Sequence, residues 1–176
     1  MAVAPFYIIT GPPSSGKTAL INCISDLGYL CHQEMARLVI IDNKRNNIDC
    51  FPWNNTKDFS HQVFLRITDL LINTTNTMCF FDRSIVDLIA YMDISKLKRN
   101  QLYIDTIKRV NYNKTVFFLE FWDEIYHNDN ERTETKQQAL IIEKYLIMVY
   151  QELGFNLVKV PKLNLDQRAE FILKNI

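Results

Sequence analysis

Residues 11–18 read Gly-Pro-Pro-Ser-Ser-Gly-Lys-Thr, a full match to G-x-x-x-x-G-K-[ST]. The run before them, Phe6 to Thr10, is short, apolar and rich in β-formers, and behind them Leu20, Ile24 and Leu27 recur at helical spacing. A strand, a glycine-bounded loop and a helix in that order restrict the fold severely, because such a loop works only at that junction. Gly11 and Gly16 let the backbone turn so that successive N–H groups point inward and cradle phosphate oxygens, with Pro12, Pro13, Ser14 and Ser15 completing the cradle. The helix beginning near Lys17 adds its positive end. Lys17, expected to be exposed at the loop, can reach the β- and γ-phosphates of a nucleotide, and the Thr18 hydroxyl can ligate Mg2+. By residue frequencies alone the pattern arises in roughly one chain of this size in two hundred.

The rest of the chain alternates strand and helix. Gly28 stops the first helix, and Tyr29–Gln33 is extended. Glu34–Asp42 follows as a helix with Met35, Leu38 and Val39 on one face. Residues Asn43–Thr56 break into a loop, and Phe59, Val63, Ile67 and Leu70 mark a third helix. Met78–Phe81 is a continuous apolar strand, followed by helical patterns over Ile85–Tyr91 and Leu97–Val110. Thr115–Leu119 is a further buried strand, and Ile142, Leu146, Val149 and Leu153 define a long helix closed by Gly154. Phe155–Val160 is the last strand, and Asn164 with Gln167 is spaced as a capping box for the final helix. Continuously apolar strands alternating with helices predict a parallel sheet covered on both faces.

The chain has 176 residues, enough for one domain over 1–176 that buries roughly 70% of its unfolded surface. Its basic and acidic side chains balance, so no global field draws nucleic acid or an anionic membrane. Cys23, Cys31, Cys50 and Cys79 lack zinc-ligand spacing and read as small apolar side chains in a reduced protein. No apolar run approaches a membrane span, and the first strand begins without a leader pattern, so a cytoplasmic location is expected.

Cys79-Phe80-Phe81-Asp82 is an apolar strand ending in a carboxylate. At the carboxyl end of a central strand, Asp82 faces the crevice where doubly wound sheets bind ligands, and it can hold Mg2+ there. The competing reading is a helix cap, but Ser84 with Asp87 already forms a capping pair. Asp82-Arg83-Ser84 looks like the D-R-[ST] step of deoxynucleoside-kinase-like P-loop kinases, in which the arginine holds phosphate or substrate.

Together with Glu34-Met35-Ala36-Arg37, with Asp87, Ala90 and Tyr91, with Trp122-x-x-Ile125-Tyr126-x-x-Asp129-x-x-Arg132-x-Glu134, and with Val160-Pro161, Arg168 and Phe171, these motifs resemble one group over essentially the whole chain. It is the small P-loop "AAA domain" family that includes the nicotinamide riboside kinase module of NadR-type proteins. The chain departs from that pattern at Pro12-Pro13, where glycine is commoner, and at Gln33, where proline often precedes the glutamate. A ring-forming motor is not expected, since no additional helical domain is read after the core. The resemblance implies a P-loop NTPase fold, an α/β five-stranded parallel sheet of order 2-3-1-4-5.

It also implies a mobile lid at about 122–136, where Arg132 bridges phosphoryl oxygens in the transition state and Lys136 assists. Asp123, Glu124, Asp129 and Glu131 read as a solvated charge cluster. Glu34 is a candidate base or hydroxyl anchor, with Arg37 nearby, against a capping or ion-pair role. Phe51, Trp53, Phe121 and Trp122 either flank a substrate ring or pack. The leading expectation is an enzyme that moves the γ-phosphate of ATP (or GTP), with Mg2+, to a small hydroxyl compound, possibly nucleoside-like. An NTP-binding switch or slow NTPase working through a protein partner is the alternative. A 5′-polynucleotide kinase lacks a basic track for the backbone.

Overall fold

The computed structural model describes residues 4–74, 77–126 and 134–176. Five parallel strands form one sheet of order β2-β3-β1-β4-β5, the predicted order. The strands are β1 (Phe6–Thr10), β2 (Leu30–His32), β3 (Cys79–Asp82), β4 (Tyr112–Phe118) and β5 (Asn156–Lys159). Between and after them run α1 (Lys17–Asp26), α2 (Met35–Arg45), α3 (Thr56–Asn73), α4 (Ile85–Ile94), α5 (Gln101–Arg109), α6 (Lys136–Glu152) and α7 (Leu165–Leu173). A 3₁₀ turn occupies Asp123–Ile125.

The pleat sends alternate residues of each strand to opposite faces. Tyr7 and Ile9 of β1 with Phe80 and Phe117 meet α1 and α7 on one side. Phe6 and Ile8 with Phe81, Val116 and Phe118 meet α2 to α6 on the other. Each buried Leu, Ile or Phe in these layers contributes about 1.5–3 kcal/mol. Because β1 and β3 are neighbours whose following helices, α1 and α4, leave to opposite faces, a crevice opens at their carboxyl ends.

Several boundaries differ from the sequence reading. Only β1 and β3 are buried throughout; β4 exposes Lys114, Leu30 on edge strand β2 is 39% exposed, and β5 turns Asn156 and Lys159 to solvent. Helix α2 buries Val39, Ile40 and Asn43 and leaves Leu38 exposed, so its buried stripe is rotated from the one predicted. It also runs on to Arg45, shortening the loop before α3, whose cap is Asn55. Asn100 caps α5, which starts later than the apolar pattern suggested, and β4 starts earlier, at Tyr112. Ser84 and Asp87 form the expected reciprocal capping box, whereas at Asn164 only the bond from the Gln167 N–H is made. No described helix is long and apolar enough to cross a membrane.

Candidate active site

The phosphate loop follows β1 directly, and both its glycines are required. Gly11 has φ 151°, and a Cβ there would lie 2.1 Å from the Leu119 carbonyl oxygen. Gly16 has φ 83°, and a Cβ would meet an Arg168 guanidinium nitrogen at 2.9 Å. Ser14 and Ser15 are buried in the turn between them, and Pro12 and Pro13 are buried as well. Lys17 is not exposed as expected; it is 2% exposed. Its ammonium curls back under the loop and donates to the carbonyls of Gly11 (3.0 Å) and Pro12 (2.7 Å) and to Ser15 Oγ (3.3 Å). A cation on a long flexible stem satisfies itself on the carbonyls nearest to it.

Register carries the acidic residues to the same edge. Ile9 lies opposite Asp82, so the carboxylate emerges beside the loop. Thr18 Oγ1 donates to Asp82 Oδ2 at 3.4 Å, which places a hydroxyl and a carboxylate together as hard oxygen donors. Among the described residues no cluster of three or more His, Cys, Asp or Glu side chains could hold a metal. A divalent ion here would therefore complete its shell with phosphate oxygens and water.

On β2, His32 lies opposite Phe81, so two residues further on Glu34 comes beside Arg83. Glu34 occupies the N-cap position of α2 but makes no cap bond with its side chain. Instead its Oε1 accepts from Arg83 Nε at 2.9 Å. Arg83 has φ 69°, a left-handed conformation that costs a non-glycine residue about 1–2 kcal/mol. Its backbone N–H is tied to the Ile9 carbonyl at 3.0 Å, and its guanidinium turns inward over the Tyr91 ring. Burial opposes the charge on Arg83, but Tyr91, Glu34, Asp87 and Asp82 around it raise its pKa well above the usual value. Burial likewise pushes the Tyr91 phenol up to about 12.

Behind Arg83 sits a hub that sequence reasoning assigned only to capping. Asp87 Oδ1 accepts from Arg83 Nη1 (3.2 Å) and from Thr10 Oγ1 (2.6 Å), and Oδ2 accepts from Tyr150 OH (2.5 Å) and the Ser84 N–H (2.8 Å). Asp87 thus joins the last residue of β1, the start of α4 and the last turn of α6 to the arginine.

Glu34, Asp82, Arg83, Asp87 and Tyr91 line one cleft of about 1060 Å³, open solvent at its mouth included. Pro13 of the loop, Asp82, Arg83, Glu34 and Arg37 are at one end, and Phe59, Val63 and Ile67 of α3 form an apolar wall. The structure therefore brings Gly11–Thr18, Asp82, Arg83 and Glu34 together, with Arg37 on the same cleft. Arg132, Asp129 and Glu131 lie outside the described residues. Lys136 is exposed and pairs with Asp123 on the surface. Phe51 and Trp53 stack on each other at 4.9 Å near the mouth, while Trp122 lies beneath the guanidinium of Arg168 at 5.6 Å. Arg168, cited in the sequence without a role, is buried and donates to the Ser15 carbonyl at 3.2 Å, and burial lowers its pKa.

A family model described as an AAA domain matches residues 6–168. No curated protein sequence matches the chain. Among solved structures, the NadR protein in complex with NR superposes with a TM-score of 0.76 at 15% identity, over 99% of this chain and 52% of that one. The chain thus spans about half of that protein. Deoxyadenosine kinase from M. mycoides, with dCMP and dCDP bound, superposes with a TM-score of 0.66 at 16% identity, covering 97% of both chains. Thymidylate kinase from Candida albicans gives 0.63 at 16% identity, over 100% of this chain and 92% of that one.

Proposed function

The chain belongs to the AAA domain family, and from that membership and the site geometry we propose that it is an ATP-dependent kinase acting on a small hydroxyl compound. One observation carries the reading: the cleft that holds Glu34 and Arg83 is continuous with the phosphate loop through Pro13 and Asp82. A nucleotide switch needs the loop but not a second, carboxylate-bearing cleft beside it. The similar structures of deoxyadenosine kinase and of NadR in complex with NR support an acceptor of nucleoside-like size.

In this reading Gly11–Thr18 binds the triphosphate, and Lys17 exchanges its loop carbonyls for β- and γ-oxygens. Thr18 and Asp82 fit Mg2+, which prefers hard oxygens and is bound by one or two carboxylates plus substrate phosphates. When bound, Mg2+ offsets charge on the β- and γ-phosphates. Glu34 orients the acceptor hydroxyl and takes its proton. The acceptor oxygen bonds to the γ-phosphorus as the bond from that phosphorus to the β–γ bridging oxygen breaks, and ADP leaves. Arg83, held between Glu34 and Asp87, positions the base. Arg132, in a lid at about 122–136, stabilises the transferring group.

Glu34→Gln tests this. The amide keeps the shape and a hydrogen-bond acceptor but takes up no proton. ATP affinity should stay within about twofold, while transfer from γ-labelled ATP to an acceptor, with deoxyadenosine and NR tried first, should fall about 10²–10⁴-fold. A fully active variant would remove Glu34 from the mechanism. Hydrolysis unaffected by any acceptor, in wild type and variant alike, would favour the switch.

A further inference from the structure

Arg168 is a buried cation behind the phosphate loop. It is 5% exposed, and no carboxylate among the described residues acts on its guanidinium, whose pKa burial alone lowers. Its Nε is buried and has no hydrogen-bond partner among those residues. An arginine keeps its charge at any ordinary pH, and a charge so placed opposes folding unless its surroundings answer it. Two groups do so here. The Ser15 carbonyl accepts from Nη2 at 3.2 Å, and the Trp122 ring centroid lies 5.6 Å from the guanidinium carbon.

The bond to Ser15 constrains the loop as well as the arginine. In a planar trans peptide the C=O and the following N–H point in opposite directions. A Ser15 carbonyl drawn toward α7 therefore turns the Gly16 N–H away from α7. The peptide after Gly16 is held by α1, since its carbonyl accepts from the Leu20 N–H at 3.2 Å. For the peptide before it, Gly16 sets no preference of its own, because glycine rotates about φ at little cost. The guanidinium rests against this glycine closely enough that a Cβ there would lie 2.9 Å from Nη1. The arginine's own base is rigid, as Ala169 and Ile172 beside it on α7 are buried in the small core.

We propose that Arg168 is a positioning residue for nucleotide binding, holding the Ser15–Gly16 peptide with its N–H turned into the phosphate cradle while Trp122 steadies the guanidinium. The proposal rests on the phosphate-loop half of the reading above and not on the acceptor. Because Arg168 acts through the loop backbone, its effect falls on the phosphate chain and not on the base or ribose of the nucleotide.

The test is calorimetric titration with AMP-PNP and with inorganic tripolyphosphate, each with Mg2+, at a temperature where circular dichroism shows every variant folded. Arg168→Met keeps a long apolar stem in the small core and removes the guanidinium. It should weaken both ligands about tenfold, the worth of one N–H directed at a phosphate, and leave the ratio of the two Kd values within about twofold. Trp122→Leu alone should weaken tripolyphosphate about threefold, and in the Arg168→Met background it should add nothing. A packing role would lower Tm and leave both Kd values unchanged, which would overturn the proposal. So would a loss confined to AMP-PNP, or wild type that binds AMP-PNP but not tripolyphosphate, since the base or ribose would then carry the effect. Additive losses from Trp122→Leu would overturn it too, because the ring would then act by a route of its own. Wild type that binds neither ligand would overturn the phosphate-loop reading and this proposal with it.

Discussion

Lys17 lies under its own loop, so replacing it has two separable effects. Lys17→Ala removes the donor shared by the Gly11 and Pro12 carbonyls, which should cost about 1–3 kcal/mol in urea unfolding. It should also weaken ATP at least about tenfold, because the charge that meets the β- and γ-phosphates is gone. Lys17→Met restores the stem and part of the stability but none of the affinity. Equal ATP affinity in wild type and both variants would sink the phosphate-loop assignment. The spacing around Lys17 makes its place at the loop–helix junction legible in the sequence, whereas its posture depends on carbonyls whose orientation only the folded loop sets. Asp82 was legible for a similar reason, an apolar strand that ends in a carboxylate. The pairing of Glu34 with Arg83 was not, because residues 49 apart meet only through the β2–β3 register. Neither motif contains that register. Arg168 stands in a motif too, but only burial against particular neighbours distinguishes it from a surface charge.

Local pattern specifies the start of α4 and long-range contact specifies its use. The Ser84–Asp87 box could be read from two residues at the right spacing, and it formed. That Tyr150, on the buried face of α6, donates to the same carboxylate joins positions 63 apart, which no periodicity can show. Edge strands were misjudged for a related reason. An apolar run predicts extension, but whether a second neighbour covers it is a property of sheet order. Burial and the nearby Asp87 raise the Tyr150 pKa well above the ordinary phenol value, so the hydroxyl stays a donor at any ordinary pH. Tyr150→Phe keeps the ring against Phe155 and deletes the hydroxyl, which meets Ser84 Oγ at 2.9 Å as well as Asp87. It should cost about 1.5–3 kcal/mol, the range for a buried bond to a charged acceptor. Because Asp87 also holds Arg83, the acceptor KM should rise more than the ATP KM. Equal changes in both would confine Tyr150 to packing.

Across the whole molecule, the sheet separates a large core under α2 to α6 from a small one under α1 and α7. The phosphate loop is tied to both. The Leu119 N–H donates to the Thr10 carbonyl at its base, and Arg168 of α7 donates to Ser15 within it. On the large-core side, Thr10 reaches Asp87 of α4. We therefore propose that 1–176 is one cooperative unit and that the loop reports on all of it. A ligand that binds only the folded loop at about one hundred times its Kd stabilises by about 2.7 kcal/mol. In a chain of this length that corresponds to roughly 5–11 °C in Tm. Scanning calorimetry should show a single transition, and Mg2+ with ATP should move all of it upward by that amount. In Lys17→Ala, with ATP bound at least about tenfold more weakly, the shift at the same ATP concentration should fall to about half or less. The small core is the place where cooperativity would fail first, since α1 and α7 pack mainly on each other and on one face of the central strands. If it melts by itself, an early transition will appear that ATP still shifts, while the later one stays in place. Two such transitions would show that the Arg168 and Asp87 ties do not couple the faces, and would end the single-unit reading.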